Sequence, residues 1–408
     1  MSAAMRRRLL AVFLFGLAVA LSGCGGTKLL PRRQVSTVTV GVPAQPASGP
    51  GLNFPALATK NTTRVAGSTP AADAAAVALA VYPSAAPGTR PGAVVLAPTD
   101  TWQAAIAASV LMGPPLRAPI LLSGAGQLPA PTGQALTQLA PTGAGAAGGA
   151  QVIRVGSVPR VSGRRSAAIT GGDPYTLAAG IDRFATAAQG STSKDVIIAS
   201  ATSPAYAMPA AGWAAESGDP ILFVGASGIP AATRQALLAH QKPRIYVLGP
   251  PSVISAATLG ALGKYGTVKR VSGPDPAANS VAFAKYRDPA CAYTQPCVHV
   301  PGSFGWAIRS PGHGYVLLNA SRPLDAAAAA PLSGSGDYGP QLIVSDASTL
   351  PSPVLNFFLD YATPGYTQEG PTAAVYNHGW VIGDRSAVSV PVQAELDRLL
   401  EAVPQNVK

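Results

Sequence analysis

Arg64-Val65-Ala66-Gly67-Ser68-Thr69-Pro70 recurs as Ala168-Ile169-Thr170-Gly171-Gly172-Asp173-Pro174, and again as Arg270-Val271-Ser272-Gly273-Pro274-Asp275-Pro276. Each copy leads into an alanine-rich segment of helical character, at 71–81, 175–188 and 277–286. An apolar strand follows: Ala93-Val94-Val95-Leu96, Asp195-Val196-Ile197-Ile198 and Gly314-Tyr315-Val316-Leu317-Leu318. After it come a second alanine-rich helix (102–112, 205–216, 324–331) and a second strand, at Pro119-Ile120-Leu121-Leu122, Pro220-Ile221-Leu222-Phe223 and Pro340-Gln341-Leu342-Ile343-Val344. Leu128-Pro129, Ile229-Pro230 and Leu350-Pro351 then announce a third helix, because proline's missing N–H costs nothing in a first turn. Each unit closes on a strand that enters a glycine: Gly156, Gly249 and Gly383.

Short apolar strands alternating with helices imply parallel βαβ units covered on both faces. The expected fold is therefore α/β, with three small Rossmann-like parallel-sheet modules in tandem at 61–160, 161–265 and 266–403. The third is longer, and most of its excess lies between Arg287 and Ser303, where Cys291 and Cys297 stand.

The amino terminus is of another kind. Arg6, Arg7 and Arg8 precede an apolar run from Leu9 to Leu21. That order reads as an export signal over 1–23, too short for a membrane-spanning helix, which needs about 20 apolar residues. Leu21-Ser22-Gly23-Cys24 resembles a lipobox, so Cys24 is the expected lipidation site; an ordinary secretory signal that contains a cysteine is the other reading. Residues 24–60, rich in Gly, Pro, Thr and Ser, read as a flexible tether. Outside the cytoplasm Cys291 and Cys297 are expected to pair as a disulfide across a small loop.

Composition narrows the function. Only 12% of residues are charged, 48% are hydrophobic, and 44 glycines and 40 prolines are present, with a formal charge of +11. An exported basic protein without a dense basic cluster suits anionic wall polymers or lipid headgroups better than nucleic acid; a solvated basic surface with no partner is the other reading. Gly143-Ala144-Gly145-Ala146-Ala147-Gly148 has the dinucleotide spacing, but it precedes a strand instead of following one, so no cofactor is expected. His240, His299, His313 and His378 form no metal spacing, and no serine sits in a nucleophile elbow, so neither a metal nor an enzyme is expected. Arg64 and Arg270 hold equivalent places and suit bidentate contact with phosphate or carboxylate; an internal salt bridge is the other reading of both. Trp102, Trp213, Trp306 and Trp380 suit sugar stacking or, for most of them, core packing.

The opening Arg-x-x-Gly, the Pro-Ile-Leu-Leu strand, the following Leu-Pro and the closing glycine resemble the cell wall-binding type 2 repeat, over about residues 61–395. The resemblance implies modules packed with pseudo-threefold symmetry and non-covalent attachment to a wall polymer. The family's Arg-Tyr after the opening glycine is absent, with Pro70, Pro174 or Pro276 at or beside that place. Its Asp-Ala survives only as Asp325-Ala326, with Ala104 and Tyr206 elsewhere. The lipobox at Cys24 and this resemblance together imply a lipid-anchored, non-catalytic protein on the outer face of the cytoplasmic membrane, binding a wall polymer or peptidoglycan-associated glycan. A scaffold that has lost polymer affinity and binds a protein partner is the alternative.

Overall fold

Each opening motif turns into a helix at its proline. Thr69, Asp173 and Asp275 stand just before the helices Pro70–Val81, Pro174–Gln189 and Pro276–Lys285. Their side-chain oxygens accept first-turn amides: from Ala72 at 3.3 Å, from Tyr175 and Thr176 at 2.8 and 2.9 Å, and from Ala278 at 2.8 Å. Proline in the first turn lacks the N–H that would otherwise want a partner. Pro129, Pro230 and Pro351 sit one place earlier than expected, as the caps of Ala130–Leu139, Ala231–Ala239 and Ser352–Asp360. A cap's own N–H is equally outside the helical ladder, so the same argument holds there.

The computed structural model describes residues 57–65, 67, 69–288, 303–366 and 375–404. Cys24, Cys291, Cys297 and His299, with the signal and nearly all of the tether, lie outside the described residues.

Strands β1 (Leu57–Ala58) and β2 (Thr62–Val65) open the body. The first parallel sheet holds β3 (Val94–Pro98), β4 (Ile120–Ser123), β5 (Val152–Val155) and β6 (Ser166–Ile169), in the order β4-β3-β5-β6. The second holds β7 (Asp195–Ser200), β8 (Ile221–Val224), β9 (Arg244–Leu248) and β10 (Thr267–Val271), in the order β8-β7-β9-β10. In the third, β11 (Gly314–Asn319) and β12 (Gln341–Val344) are followed by the small strand β13 (Gly365–Tyr366) and then by β14 (His378–Ile382). Its order is β12-β11-β14-β2, with β1 antiparallel on the edge; β13 pairs separately with β15 (Val403–Pro404). The α/β class and the parallel modules agree with the sequence reading.

The strands are shared between neighbouring copies, unlike those of three self-contained modules. The strand carrying each opening motif joins the sheet of a different copy: β6 completes the first sheet, β10 the second, and β2 the third. Sheet membership is thus offset by one strand from the repeat register, and the exchange closes into a cycle.

Strands β3, β4, β7, β8, β11 and β12 are buried at every position, although β4, β8 and β12 end their sheets, because helices cover both faces and those edges lie inside the body. The helix Pro323–Ser333 is buried from Asp325 to Ser333 and packs against Pro70–Val81 and Pro209–Ser217. Alanine on all sides lets these backbones approach closely. A Cβ on Gly212 would meet Ser333 Oγ at 2.8 Å, and one on Gly113 would meet Gly218 Cα at 2.8 Å. Aromatic rings fill the space that alanine leaves. Tyr246 stacks on Phe304 at 3.5 Å, and Trp213 packs edge-on against Trp306 at 5.3 Å. Trp213 and Trp306 are buried and Trp102 and Trp380 are half-buried, so core packing accounts for the first two.

Candidate functional site

In open parallel sheets a ligand crevice lies beyond the carboxyl ends of the strands, where the strand order reverses. In the third sheet that place falls between β11 and β14. Asn319, the last residue of β11, donates to Ala387 O at 2.7 Å and accepts from the Ser321 N–H and hydroxyl at 2.9 and 2.7 Å. These bonds hold the turn that presents Arg322 as the cap of Pro323–Ser333.

Arg322 lies among three carboxylates from three elements. Its Nη2 donates to Asp73 Oδ2 at 2.7 Å, its Nε lies 2.6 Å from Asp325 Oδ2, and its Nη1 lies 3.9 Å from Asp384 Oδ1. The Asp73 and Asp325 side chains are fully buried. Burial pushes the Asp73 carboxyl up to about 8; the Asp325 charge adds to this, while Arg322 and the Gly67 N–H oppose it. Burial likewise raises Asp325 to about 6 against the pull of Arg322. Gly67 donates to Asp73 Oδ1 at 2.6 Å, and a Cβ at Gly67 would lie 2.4 Å from that of Ala72, so the turn admits only glycine. Asp384, with Ser386 and Ala387 donating to it, is held below the usual carboxylate range despite partial burial.

Arg64 lies alongside, buried. Its Nε donates to Gln393 Oε1 at 2.8 Å, and its Nη1 donates to the Gly383 and Asp384 carbonyls at 2.9 Å each. Burial, then the charge of Arg385, lowers its guanidinium to about 10. Arg270 makes the matching contacts in the second sheet, to Gly249 O and Ile254 O. In the first sheet the partner strand supplies the group. Ala168 pairs with Arg154, whose Nη1 donates to Val158 O at 3.2 Å. A guanidinium thus fastens the loop after each closing strand, through backbone carbonyls and not through the internal ion pair that was the other reading.

The three crevices differ in charge. Six residues after the opening glycine stand Asp73, Leu177 and Asn279. Asn279 accepts weakly from the Gly273 N–H and reaches Tyr206 O, at 3.4 Å each, and Leu177 makes no such bond. Among the described residues only the third-sheet crevice carries a charged cluster, and Asp325 of the retained Asp-Ala belongs to it. Its Arg322 is committed to these carboxylates, which makes the cluster a tie between the first-copy and third-copy helices.

The remaining predicted residues are scattered. His240 sits buried between Ser193 O at 2.7 Å and Asp182 at 3.0 Å. Both ring nitrogens therefore face acceptors, and these hold its pKa up against the opposing effect of burial. At the other end of the third sheet the His378 N–H, on β14, donates to the carbonyl of His313 just before β11, and burial lowers both imidazoles. Gly143–Gly148 forms a loop with a 3-10 turn ahead of β5. Among the described residues no group of three His, Cys, Asp or Glu is placed to hold a metal, and no helix is long and apolar enough to cross a membrane.

The sequence reading passed over the stretch between Asp100 and Asp173. It contains no carboxylate and five arginines: Arg117, Arg154, Arg160, Arg164 and Arg165. Counting charge by segment would have found it.

Comparison with known proteins places these features. The fold resembles Cwp8 from Clostridium difficile with a TM-score of 0.61, at 16% identity over 84% of this chain and 52% of that one. It resembles Cwp6 from Clostridium difficile with a TM-score of 0.60, at 16% identity over 82% of this chain and 48% of that one. The chain thus spans about half the length of these solved structures. No curated protein matches it. Residues 178–259, from the first helix of the second copy through β7, β8 and β9, match the model of the cell wall binding domain 2 (CWB2) family.

Proposed function

We propose that the α/β body binds the cell wall, through an anionic or glycan polymer, without catalysis. The match of residues 178–259 to the cell wall binding domain 2 family carries this reading. The fold that extends around the match supports a role for all three copies, and the cyclic exchange of β2, β6 and β10 supports an approximate threefold arrangement of repeats. In this reading lipid on Cys24 holds the chain to the outer face of the cytoplasmic membrane, and a Cys291–Cys297 disulfide closes the insertion of the third copy.

The inward commitment of Arg64 and Arg270 favours a second reading, a scaffold that has kept the fold and binds a protein partner at the envelope. Cosedimentation with purified walls, before and after their anionic polymers are stripped, decides between them. The first reading expects pelleting that depends on those polymers; pelleting with neither preparation overturns it.

A further inference from the structure

This inference rests on the wall-binding reading and locates the contact. In the second and third sheets a helix follows the closing strand, Ala256–Leu262 after β9 and Val390–Leu399 after β14. In the first sheet residues 156–165 pass from β5 to β6 with no helix, so a run of turns lies where the other sheets carry a covering element. Arg160, Arg164 and Arg165 stand on that crossover. The strand it reaches, β6, is the outer strand of its sheet and is exposed at Ala168. Beside β6 lies a hollow of about 320 Å³ lined by Ala168, Ile169, Thr170, Gly180, Arg183 and Phe184.

Between residues 156 and 184 four arginines stand against two carboxylates, of which Asp173 is exposed and Asp182 is buried. Arg160, Arg165 and Arg183 are exposed and Arg164 is half-buried. Arg165 donates to Gly149 O, and Arg160, Arg164 and Arg183 have no side-chain hydrogen bond or ion pair among the described residues. The carboxylates nearest in sequence are already occupied. Asp173 caps its helix through the Tyr175 and Thr176 amides, and Asp182 is buried against His240. Elsewhere Arg244, Arg322 and Arg398 all face acids.

We propose that Arg183, in the hollow beside β6, and Arg160, Arg164 and Arg165, on the crossover that leads into that strand, form the surface that grips a wall polymer bearing repeated anionic groups. A guanidinium fork matches phosphate and carboxylate alike. Three of the cations stand on the crossover that enters β6 and the fourth on the helix beside that strand, a spread that suits an extended chain better than a single small anion. Ile169 and Phe184 in the lining of the hollow give the carbon skeleton of a polyol or sugar unit an apolar contact.

The test compares the full chain with Arg160→Gln/Arg164→Gln/Arg183→Gln, and with a control of equal charge loss, Arg90→Gln/Lys264→Gln/Arg385→Gln. Binding to poly(glycerol phosphate), to polygalacturonate, to neutral dextran and to phosphatidylglycerol vesicles is measured across a salt series. The first triple variant is expected to lose about tenfold in polymer affinity, with a shallower salt dependence, while the control changes by less than about twofold. Arg183→Gln alone, away from the crossover and free of backbone contacts, is expected to show about threefold by itself and guards against misfolding of the triple. Binding to one polymer and not the other tells phosphate from carboxylate. Equal loss in both triples, an unaffected triple, or native binding to vesicles but to neither polymer overturns the inference. If the native chain pellets with walls yet ignores both charged polymers, the wall reading stands and this one falls; if it does not pellet, both fall.

Discussion

Replacing Arg322 with methionine removes the one cation between two buried carboxylates, and its cost follows from the geometry. Asp73 and Asp325 are fully buried and Arg322 is 19% exposed, so solvent does little of the screening. Breaking such a pair from one side costs about 3–5 kcal/mol, because the remaining charge stays in a poorly solvating site. The penalty depends on pH. Both folded pKa values are raised, Asp73 to about 8 and Asp325 to about 6, above the 3.8 of the free side chain. The folded state therefore binds more protons than the unfolded one, and the contribution of these acids is full below pH 4 and lost as pH rises through 8. Without Arg322 both values rise further, so Arg322→Met should suffer most at pH 8 and recover much of the loss at pH 5. Urea unfolding followed by circular dichroism at pH 5, 6.5 and 8 measures this. Adding Asp73→Asn and Asp325→Asn to the variant should flatten the pH dependence. A loss of the same size at all three pH values, or none at any, would refute the reasoning.

Arg64→Ala should cost about 3 kcal/mol in stability, since four acceptors lose a charged donor, and the half-buried Arg270→Ala about half of that. Wall pelleting measured well below the melting temperature should be unchanged in both, and a selective loss of binding would restore the polymer-contact reading. His240, whose pKa is pulled down by burial but raised on balance by Asp182 and the Ser193 carbonyl, contributes stability that is complete below its unfolded value of about 6.5 and is lost as pH rises through its folded value. His240→Gln should remove that part of the alkaline decline, and an unchanged stability–pH curve counts against it. Intact mass spectrometry of exported protein should show acyl chains at Cys24 that Cys24→Ser abolishes, and a mass two hydrogens short for Cys291 and Cys297; two free thiols dispose of the bridge.

The landmarks were readable because each rests on local chemistry. Proline after a capping Thr69, Asp173 or Asp275 marks a helix start wherever it occurs, and Ile120-Leu121-Leu122 can only be a strand covered on both faces. The partner of a strand is another matter. Nothing within Thr62–Val65 says that it pairs with β14, because parallel pairing is decided by what packs beneath the sheet. Arg64 was therefore found in the right place and given the wrong company: its acceptors are carbonyls contributed by residues 383–389, which no local pattern announces. The helix Ala256–Leu262 was missed because Gly260 and a single buried residue, Leu262, leave almost no apolar stripe. Arg322 and Asp73 meet only after folding, whereas the acid-free run from Asp100 to Asp173 was visible throughout.

The placing of β2 in the third sheet also sets an order of assembly. Strands β5 and β6 are joined by residues 156–165, so the first sheet can complete itself from contiguous chain. The third cannot: Arg64 and the Gly383 carbonyl it holds are 319 residues apart. Closing so long a loop costs only a few kcal/mol more than closing a short one, but it slows folding. Until β14 arrives, β2 presents an open edge that can pair with the β14 of another copy. A chain cut short before residue 378 would fold its first two sheets and leave that edge unpaired. The same exchange that makes the cycle in one molecule offers two molecules a way to trade first strands and become a swapped dimer.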